Sequence, residues 1–304
     1  STVRVEKGMI MDKAGILREL LMKDHVVLVP GVYDALTAKV AQYCQFESVY
    51  MTGYGTAAAH GYPDFGLLTM TEVLENLRRI SDVVEIPVLV DADTGYGNEI
   101  NVYRTVREFE RAGATAIQLE DQAWPKRCGH MEGKQVIGAE EMVGKIKAAV
   151  DARANPDTVL IIRTDAIAVH GFDAAISRGN LYAEAGADVL FIEAPTSVEQ
   201  MRRLPRLFSL PCLWNRGLPV PGVDSSTLQE MGYRIALYPT VTLLGAIEGC
   251  LTNCKSLLAQ GKMDVVEKWP VVFEGLNRFL GSEKYRSMEG KCASGSPKRG
   301  QQDG

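Results

Sequence analysis

Eight short apolar runs, at 26–29, 49–51, 88–90, 117–119, 160–162, 189–192, 213–214 and 235–237, constrain this chain more than any other feature. They are rich in Val, Ile and Leu and lack polar alternation. Strands read this way when both of their faces are buried, as in a parallel sheet covered by helices. Amphipathic segments lie between them. Thr69-Met70-Thr71-Glu72 has the form of a capping box, and Val73, Leu74, Leu77 and Ile80 then share one helical face. Val102, Val106 and Phe109 form a second stripe, and Met142, Val143, Ile146 and Val150 a third.

A weak internal repeat sharpens the pattern. Gly113 is followed seven residues later by Glu120, Gly186 by Glu193, and Gly232 by Pro239. The shared device is a glycine ending a helix, a short turn, and a buried strand whose end presents one residue. Eight strand–helix units predict an α/β chain folded as a (β/α)8 TIM barrel. A doubly wound sheet is the rival, but no Gly-x-Gly-x-x-Gly opens the first strand–helix turn. With 304 residues, a single barrel domain with C-terminal helices is expected over 1–285, followed by a polar, mobile tail over 286–304. Helical stretches are expected over 243–258 and 265–280.

Composition excludes several functions. There are 33 basic against 38 acidic residues, a formal net charge of −5, so no clustered basic surface for nucleic acid is expected. No apolar run approaches the length of a membrane span. Six cysteines do not form a disulfide framework in a chain of this size and read as free thiols in a reducing compartment. A cytoplasmic location is expected, although a removed organellar targeting peptide would leave no trace.

Barrel chemistry sits at the C-terminal strand ends. Here those ends carry Pro30-Gly31, Tyr50-Met51-Thr52-Gly53, Asp91-Ala92-Asp93, Glu120-Asp121, Arg163-Thr164-Asp165, Glu193, Asn215 and Pro239. Asp91 and Asp93 with Glu120 from the next strand form a group of hard oxygen donors suited to Mg2+ or Mn2+, held partly through water. The plainer alternative is that Asp93 and Asp121 cap the following helices. Zinc is not expected, because His25, His60, His130 and His170 show no ligand spacing. Cys250 and Cys254 share a helical face and are expected in core packing. In Lys126-Arg127-Cys128-Gly129-His130, a thiol flanked by cations and a histidine should have a lowered pKa, which suits proton transfer or nucleophilic attack. An exposed basic turn with an incidental cysteine remains the alternative.

Taken together, the motifs at 30–36, 50–53, 63–66, 91–97, 119–122, 126–130 and 163–166 resemble the isocitrate lyase / phosphoenolpyruvate mutase superfamily, over about residues 26–240. Within it the chain looks like the 2-methylisocitrate lyase group, with the dimethylmalate lyases, oxaloacetate hydrolases and a plant petal-death protein. The resemblance implies Mg2+-dependent retro-aldol cleavage of a 2-hydroxy di- or tricarboxylate to a 2-oxoacid and a carboxylate, with no nucleic-acid or membrane partner. It places Mg2+ (or Mn2+) near Asp91, Asp93 and Glu120, with Asp64 nearby. It assigns a substrate carboxylate to Thr52, Gly53 and Tyr54, charge neutralisation to Arg163, hydroxyl deprotonation to Tyr50, and enolate protonation to Cys128. Lys126, Arg127, Gly129, His130, Glu193 and Asn215 are implied in holding the second carboxylate or the loop, which is expected to close over substrate between residues 124 and 134. A homodimer or homotetramer with an exchanged C-terminal helix is also implied.

The chain departs from the family pattern after the seventh strand. It reads Asn215-Arg216-Gly217-Leu218-Pro219-Val220-Pro221-Gly222, without the family glutamate and with Arg216. Gln118 stands where methylisocitrate lyases commonly carry histidine. Pro239 stands where oxaloacetate hydrolases carry a serine and is expected to face the mouth. Oxaloacetate hydrolysis or decarboxylation, phosphonate P–C chemistry, and a non-catalytic ligand-binding barrel remain the alternative functions.

Overall fold

A computed structural model of the chain describes residues 12–127, 133–217, 223–261 and 273–293. The order of the elements is α1 (Lys13–Met22), β1 (Val27–Val32), α2 (Ala35–Tyr43), β2 (Val49–Met51), α3 (Gly53–Ala59), α4 (Met70–Ser81), β3 (Val88–Asp91) and α5 (Glu99–Arg111). There follow β4 (Ala116–Glu120), α6 (Ala139–Ala152), β5 (Val159–Thr164), α7 (Ala166–His170), α8 (Phe172–Ala185), β6 (Val189–Ile192) and α9 (Val198–Leu207). The sequence continues with β7 (Cys212–Asn215), α10 (Ser225–Met231), β8 (Ile235–Tyr238), α11 (Val241–Gln260), α12 (Phe273–Phe279) and α13 (Ser282–Ala293). All eight strand pairs are parallel and β8 closes on β1, so the chain forms the expected (β/α)8 barrel. Each predicted apolar run falls on one strand, save that Val26 precedes β1.

The strand period of two separates two apolar cores. One parity points outward: Val49, Val90, Ile117, Leu160, Leu190 and Ala236 pack beneath the helices. The other points inward: Val27, Tyr50, Leu89, Ala116, Ile161, Phe191, Leu213 and Ile235 fill the barrel, with Leu17 and Leu20 of α1 packed against them. Counting on in steps of two along the inward parity gives Thr52 after Tyr50, Asp91 after Leu89, Gln118 and Glu120 after Ala116, and Arg163 after Ile161. The same count reaches Glu193 after Phe191, Asn215 after Leu213, and Pro239 after Leu237. The polar residues at the C-terminal ends are thus the top layer of the barrel filling.

Local signals account for the helix boundaries. The Thr69–Glu72 capping box is present, with Glu72 N–H donating to Thr69 Oγ1 and Thr69 N–H to Glu72 Oε2. Gly186 and Gly232 end α8 and α10 in the left-handed conformation, at φ 115° and 101°. Asp93 and Asp121 cap no helix: Asn98 caps α5, and α6 starts from Gly138 with no side-chain cap.

Contacts divide the chain into one unit that ends at Ala246 and a second that begins at Ile247. The first contains the barrel. In the second, α12 and α13 contact one another, and α13 runs across the 285/286 boundary expected for the tail. Residues 294–304 lie outside the described residues, as does 265–272 of the expected C-terminal helix. Cys250 and Cys254 are exposed on α11 rather than packed in a core, because Leu243 is the only buried side chain among the described residues of that helix. No helix among the described residues is long and apolar enough to cross a membrane.

Candidate active site

At the C-terminal end of the barrel lies a cavity of about 430 Å³. Tyr50, Thr52, Tyr54, Asp64, Asp91 and Glu120 line one part, and Lys126, Arg127, Arg163, Asn215 and Pro239 another. Phe191, Leu237 and Leu244 add an apolar wall. Of the residues assigned from the sequence, Gly53 adjoins the lining residues Thr52 and Tyr54 in the chain, Asp93 N–H donates to Asp91, and Glu193 meets Arg163 and Asn215. Cys128, Gly129 and His130 lie outside the described residues, as do 218–222 of the altered loop.

Strand register sets the geometry. Asp91 pairs with Gln118 across β3 and β4, and Glu120 with Arg163 across β4 and β5. The Tyr50 hydroxyl donates to Gln118 Oε1 at 3.0 Å, which turns the Gln118 amide nitrogen toward Asp91 Oδ1 at 3.4 Å. Asp93 N–H donates to Asp91 Oδ1 at 3.1 Å, with Asp93 at φ 49°. A Cβ on Gly53 would lie 2.7 Å from Asp91 Oδ2, so α3 approaches that carboxylate closely only because residue 53 has no side chain.

Lys126 is buried, and its ammonium lies 2.7 Å from both Asp64 Oδ1 and Asp93 Oδ1. Arg163 is surrounded by acids. Its Nε lies 2.8 Å from Asp165 Oδ2 and 3.4 Å from Glu120 Oε2, and an Nη lies 3.8 Å from Glu193 Oε2. Asn215 Nδ2 donates to that Glu193 oxygen at 3.2 Å. The guanidinium also sits 4.9 Å from the Phe191 ring centroid.

Burial shifts these groups. It pushes Asp93 up to about 6, against the pull of Lys126. Glu120 is likewise raised well above the ordinary range by burial, although Arg163 and Lys126 oppose it. Burial, and then Asp91, raise Tyr50, so its hydroxyl holds its proton. For Lys126, burial alone would lower the pKa, but Asp93, Asp91 and Glu120 outweigh it and keep the ammonium charged.

The donor set fits a hard divalent cation. Glu120 Oε1 is buried without a hydrogen-bond donor among the described residues, and Asp64, Asp91 and Asp93 supply further carboxylate oxygens near the same cavity. No three His, Cys, Asp or Glu side chains among the described residues approach closely enough to cage an ion by themselves. Such a set suits an ion held largely through water.

Sequence reasoning assigned no role in the site to four contributors. Gln118 and Asp165 stand two residues from Glu120 and Arg163, so inward parity was their available signal. Phe191 carried the same parity signal. Lys134, whose ammonium lies 2.8 Å from Asp165 Oδ1, had none.

An inward top layer of carboxylates and Arg163 on a parallel barrel, with Lys126 added from the loop after β4, around a small cavity defines a class: a TIM-barrel enzyme. Residues 17–258 match the family model described as phosphoenolpyruvate phosphomutase. The chain belongs to the isocitrate lyase / phosphoenolpyruvate mutase superfamily. It is 45% identical to the 2,3-dimethylmalate lyase of Eubacterium barkeri, covering 94% of this chain and all of that one. With the 2-methylisocitrate lyase of Aeropyrum pernix it shares 43% identity over 83% of this chain and 82% of the relative. Among solved structures, oxaloacetate acetylhydrolase in complex with 3,3-difluorooxalacetate superposes with a TM-score of 0.86 at 33% identity, covering 94% of this chain and 98% of the other. Phosphonopyruvate hydrolase in complex with oxalate and Mg2+ superposes with a TM-score of 0.85 at 28% identity, covering 92% and 99%.

Proposed function

We propose that the protein is a divalent-metal-dependent carbon–carbon lyase that cleaves a 2-hydroxy di- or tricarboxylate of the alkylmalate or 2-methylisocitrate type. The observation that carries this reading is the arrangement in one cavity of Tyr50, Asp91, Glu120 and Arg163, with an apolar wall of Phe191, Leu237 and Leu244 beside them. Similarity to dimethylmalate and methylisocitrate lyases supports it.

Asp91, Asp93 and Glu120, with Asp64 nearby, would hold Mg2+ or Mn2+, which when bound supplies Lewis-acid polarisation of the substrate's hydroxyl and carboxylate. The backbone around Thr52, Gly53 and Tyr54 receives the adjoining carboxylate, and Arg163 offsets its charge. Tyr50 first releases its own proton to solvent, once positive charge in the site outweighs burial and the neighbouring acids, and as the phenolate then accepts the substrate's hydroxyl proton. The C2–C3 bond then breaks: the oxygen's electron pair becomes the carbonyl of the 2-oxoacid, and the bond pair passes to the leaving fragment as a carboxylate-stabilised enolate. Cys128 protonates that fragment at carbon, with Arg127, Gly129 and His130 positioning the loop and the distal carboxylate. Lys126 holds Asp64 and Asp93 together at the base of that loop.

Similarity to oxaloacetate acetylhydrolase raises hydrolysis as a second reading. Pro239 opposes it. This residue lines the cavity and offers no side-chain donor to a hydrated keto group, a loss of a few kcal/mol in a buried polar site. Comparing kcat/KM for alkylmalates, 2-methylisocitrate and oxaloacetate on one preparation tests this. A preference for oxaloacetate with release of oxalate and acetate overturns the assignment. The exposed apolar residues Ile247, Leu251, Phe273 and Tyr285 further support a homodimer or homotetramer, which light scattering checks.

A further inference from the structure

Asp165 is fully buried and binds two cations at once. Its Oδ2 accepts from Arg163 Nε at 2.8 Å, and its Oδ1 accepts from an Arg163 Nη at 3.0 Å and from Lys134 Nζ at 2.8 Å. The fork between Arg163 and Asp165 engages the Nε/Nη edge of the guanidinium and leaves the other Nη toward Glu193. Lys134 reaches this point from a different element, the return limb of the connection between β4 and α6. That limb is fixed by one antiparallel bridge to the segment just after β4. Val136 bridges to Gln122, Ala123 N–H donates to Gln135 O at 2.8 Å, and Ile137 N–H donates to Asp121 O at 2.9 Å. Arg178 then ties the limb to the strand end, donating to Ile137 O at 2.8 Å and to Asp121 Oδ2 at 2.9 Å.

Lys134 does not line the main cavity. It lines a separate cavity of about 200 Å³ with Gln122, Trp124, Pro125 and Arg127, and its ammonium meets the Arg163 site through Asp165. Its charge still matters there. Three carboxylates, Asp165, Glu120 and Glu193, lie within 4 Å of the Arg163 guanidinium. Alone against three acids, Arg163 would have little positive potential to offer an incoming anion. A second buried cation on Asp165 restores it and holds the fork in place.

We propose that Lys134 is a positioning residue: acting through Asp165, it fixes Arg163 and preserves its charge for the substrate carboxylate. The connection between β4 and α6 would then communicate with the anion site through this Lys–Asp–Arg row. The inference rests on the proposed reading of Arg163 as the group that neutralises a substrate carboxylate.

The test compares wild type, Lys134→Met and Lys134→Arg in two assays. One is steady-state cleavage of the best alkylmalate, and the other is calorimetric binding of oxalate with Mg2+ present. Lys134→Met should raise KM and weaken oxalate binding about tenfold to a hundredfold, with kcat within about threefold of wild type. Lys134→Arg should keep both within about threefold. Should Lys134→Met not fold, Lys134→Gln carries the same expectation. Unchanged KM and oxalate affinity overturn the inference, as does a fall in kcat alone or an arginine variant no better than methionine. If wild type cleaves no 2-hydroxy acid, the lyase reading fails, and the oxalate comparison still decides the role of Lys134.

Discussion

Gly53→Ala is the smallest change that should separate stability from activity in this site. The added Cβ would stand 2.7 Å from Asp91 Oδ2 and 3.2 Å from its Cγ, against an ordinary contact beginning near 3.4 Å. Asp91 must therefore retreat by roughly 0.7 Å, a displacement comparable to those that cost about a hundredfold in a positioned site. Its freedom to do so is limited, because Asp91 Oδ1 accepts from Asp93 N–H and faces the Gln118 amide. Residue 53 opens α3 in ordinary helical backbone, where alanine is favoured over glycine by up to about 1 kcal/mol. Thermal unfolding should then shift by no more than about 2 °C in either direction. Metal-dependent kcat/KM should fall about tenfold to a hundredfold, together with weaker Mn2+ binding read by electron paramagnetic resonance. Wild-type activity in a folded Gly53→Ala protein would refute the dependence on Asp91's position.

Three further substitutions probe separate parts of the account. Asp121 accepts from Thr164, Tyr182, Arg178 and the Asp165 N–H; Asp121→Asn should cost about 3–5 kcal/mol by leaving Arg178 without its counter-charge, and an unchanged urea midpoint would count against it. In metal-free protein the Asp93 carboxyl is raised to about 6, so between about pH 4 and 6 the folded state holds a proton that the unfolded chain has released. Its contribution to stability is present below about pH 4 and is lost as pH rises through about 6. Urea melts of EDTA-treated protein should show that decline, and Asp93→Asn should flatten it. Cys128→Ser should lower turnover about 10²–10⁴-fold with substrate still bound, as for a lost general acid; near-normal rates would remove the thiol from the mechanism.

The barrel was legible because its strands are buried on both faces, which leaves unbroken apolar runs such as 160–162, and because Gly186 and Gly232 mark helix ends that only glycine tolerates easily. The polar mouth was legible for the same reason: a strand period of two carries inward apolar residues into inward acids at Asp91, Glu120 and Glu193. What could not be read is the pairing of loop residues with strand ends. Nothing in the spacing of Lys126 or Lys134 says that one lies between Asp64 and Asp93 and the other on Asp165, since those contacts are made only by chain closure. Gln118 shows the intermediate case. Its parity was readable, but its hydrogen bond from Tyr50 depends on two strands that are not neighbours in the barrel. Cys250 and Cys254 were misplaced because a shared helical face says nothing of whether that face is covered.

The most direct test of the central claim is to incubate the protein with alkylmalates and 2-methylisocitrate and identify the products by mass spectrometry, with Mg2+ and again with EDTA. The account predicts one 2-oxoacid and one carboxylate in equal amounts, formed only with the metal and abolished in Arg163→Met. Undiminished product in EDTA, or oxalate and acetate from oxaloacetate as the only turnover, would contradict it.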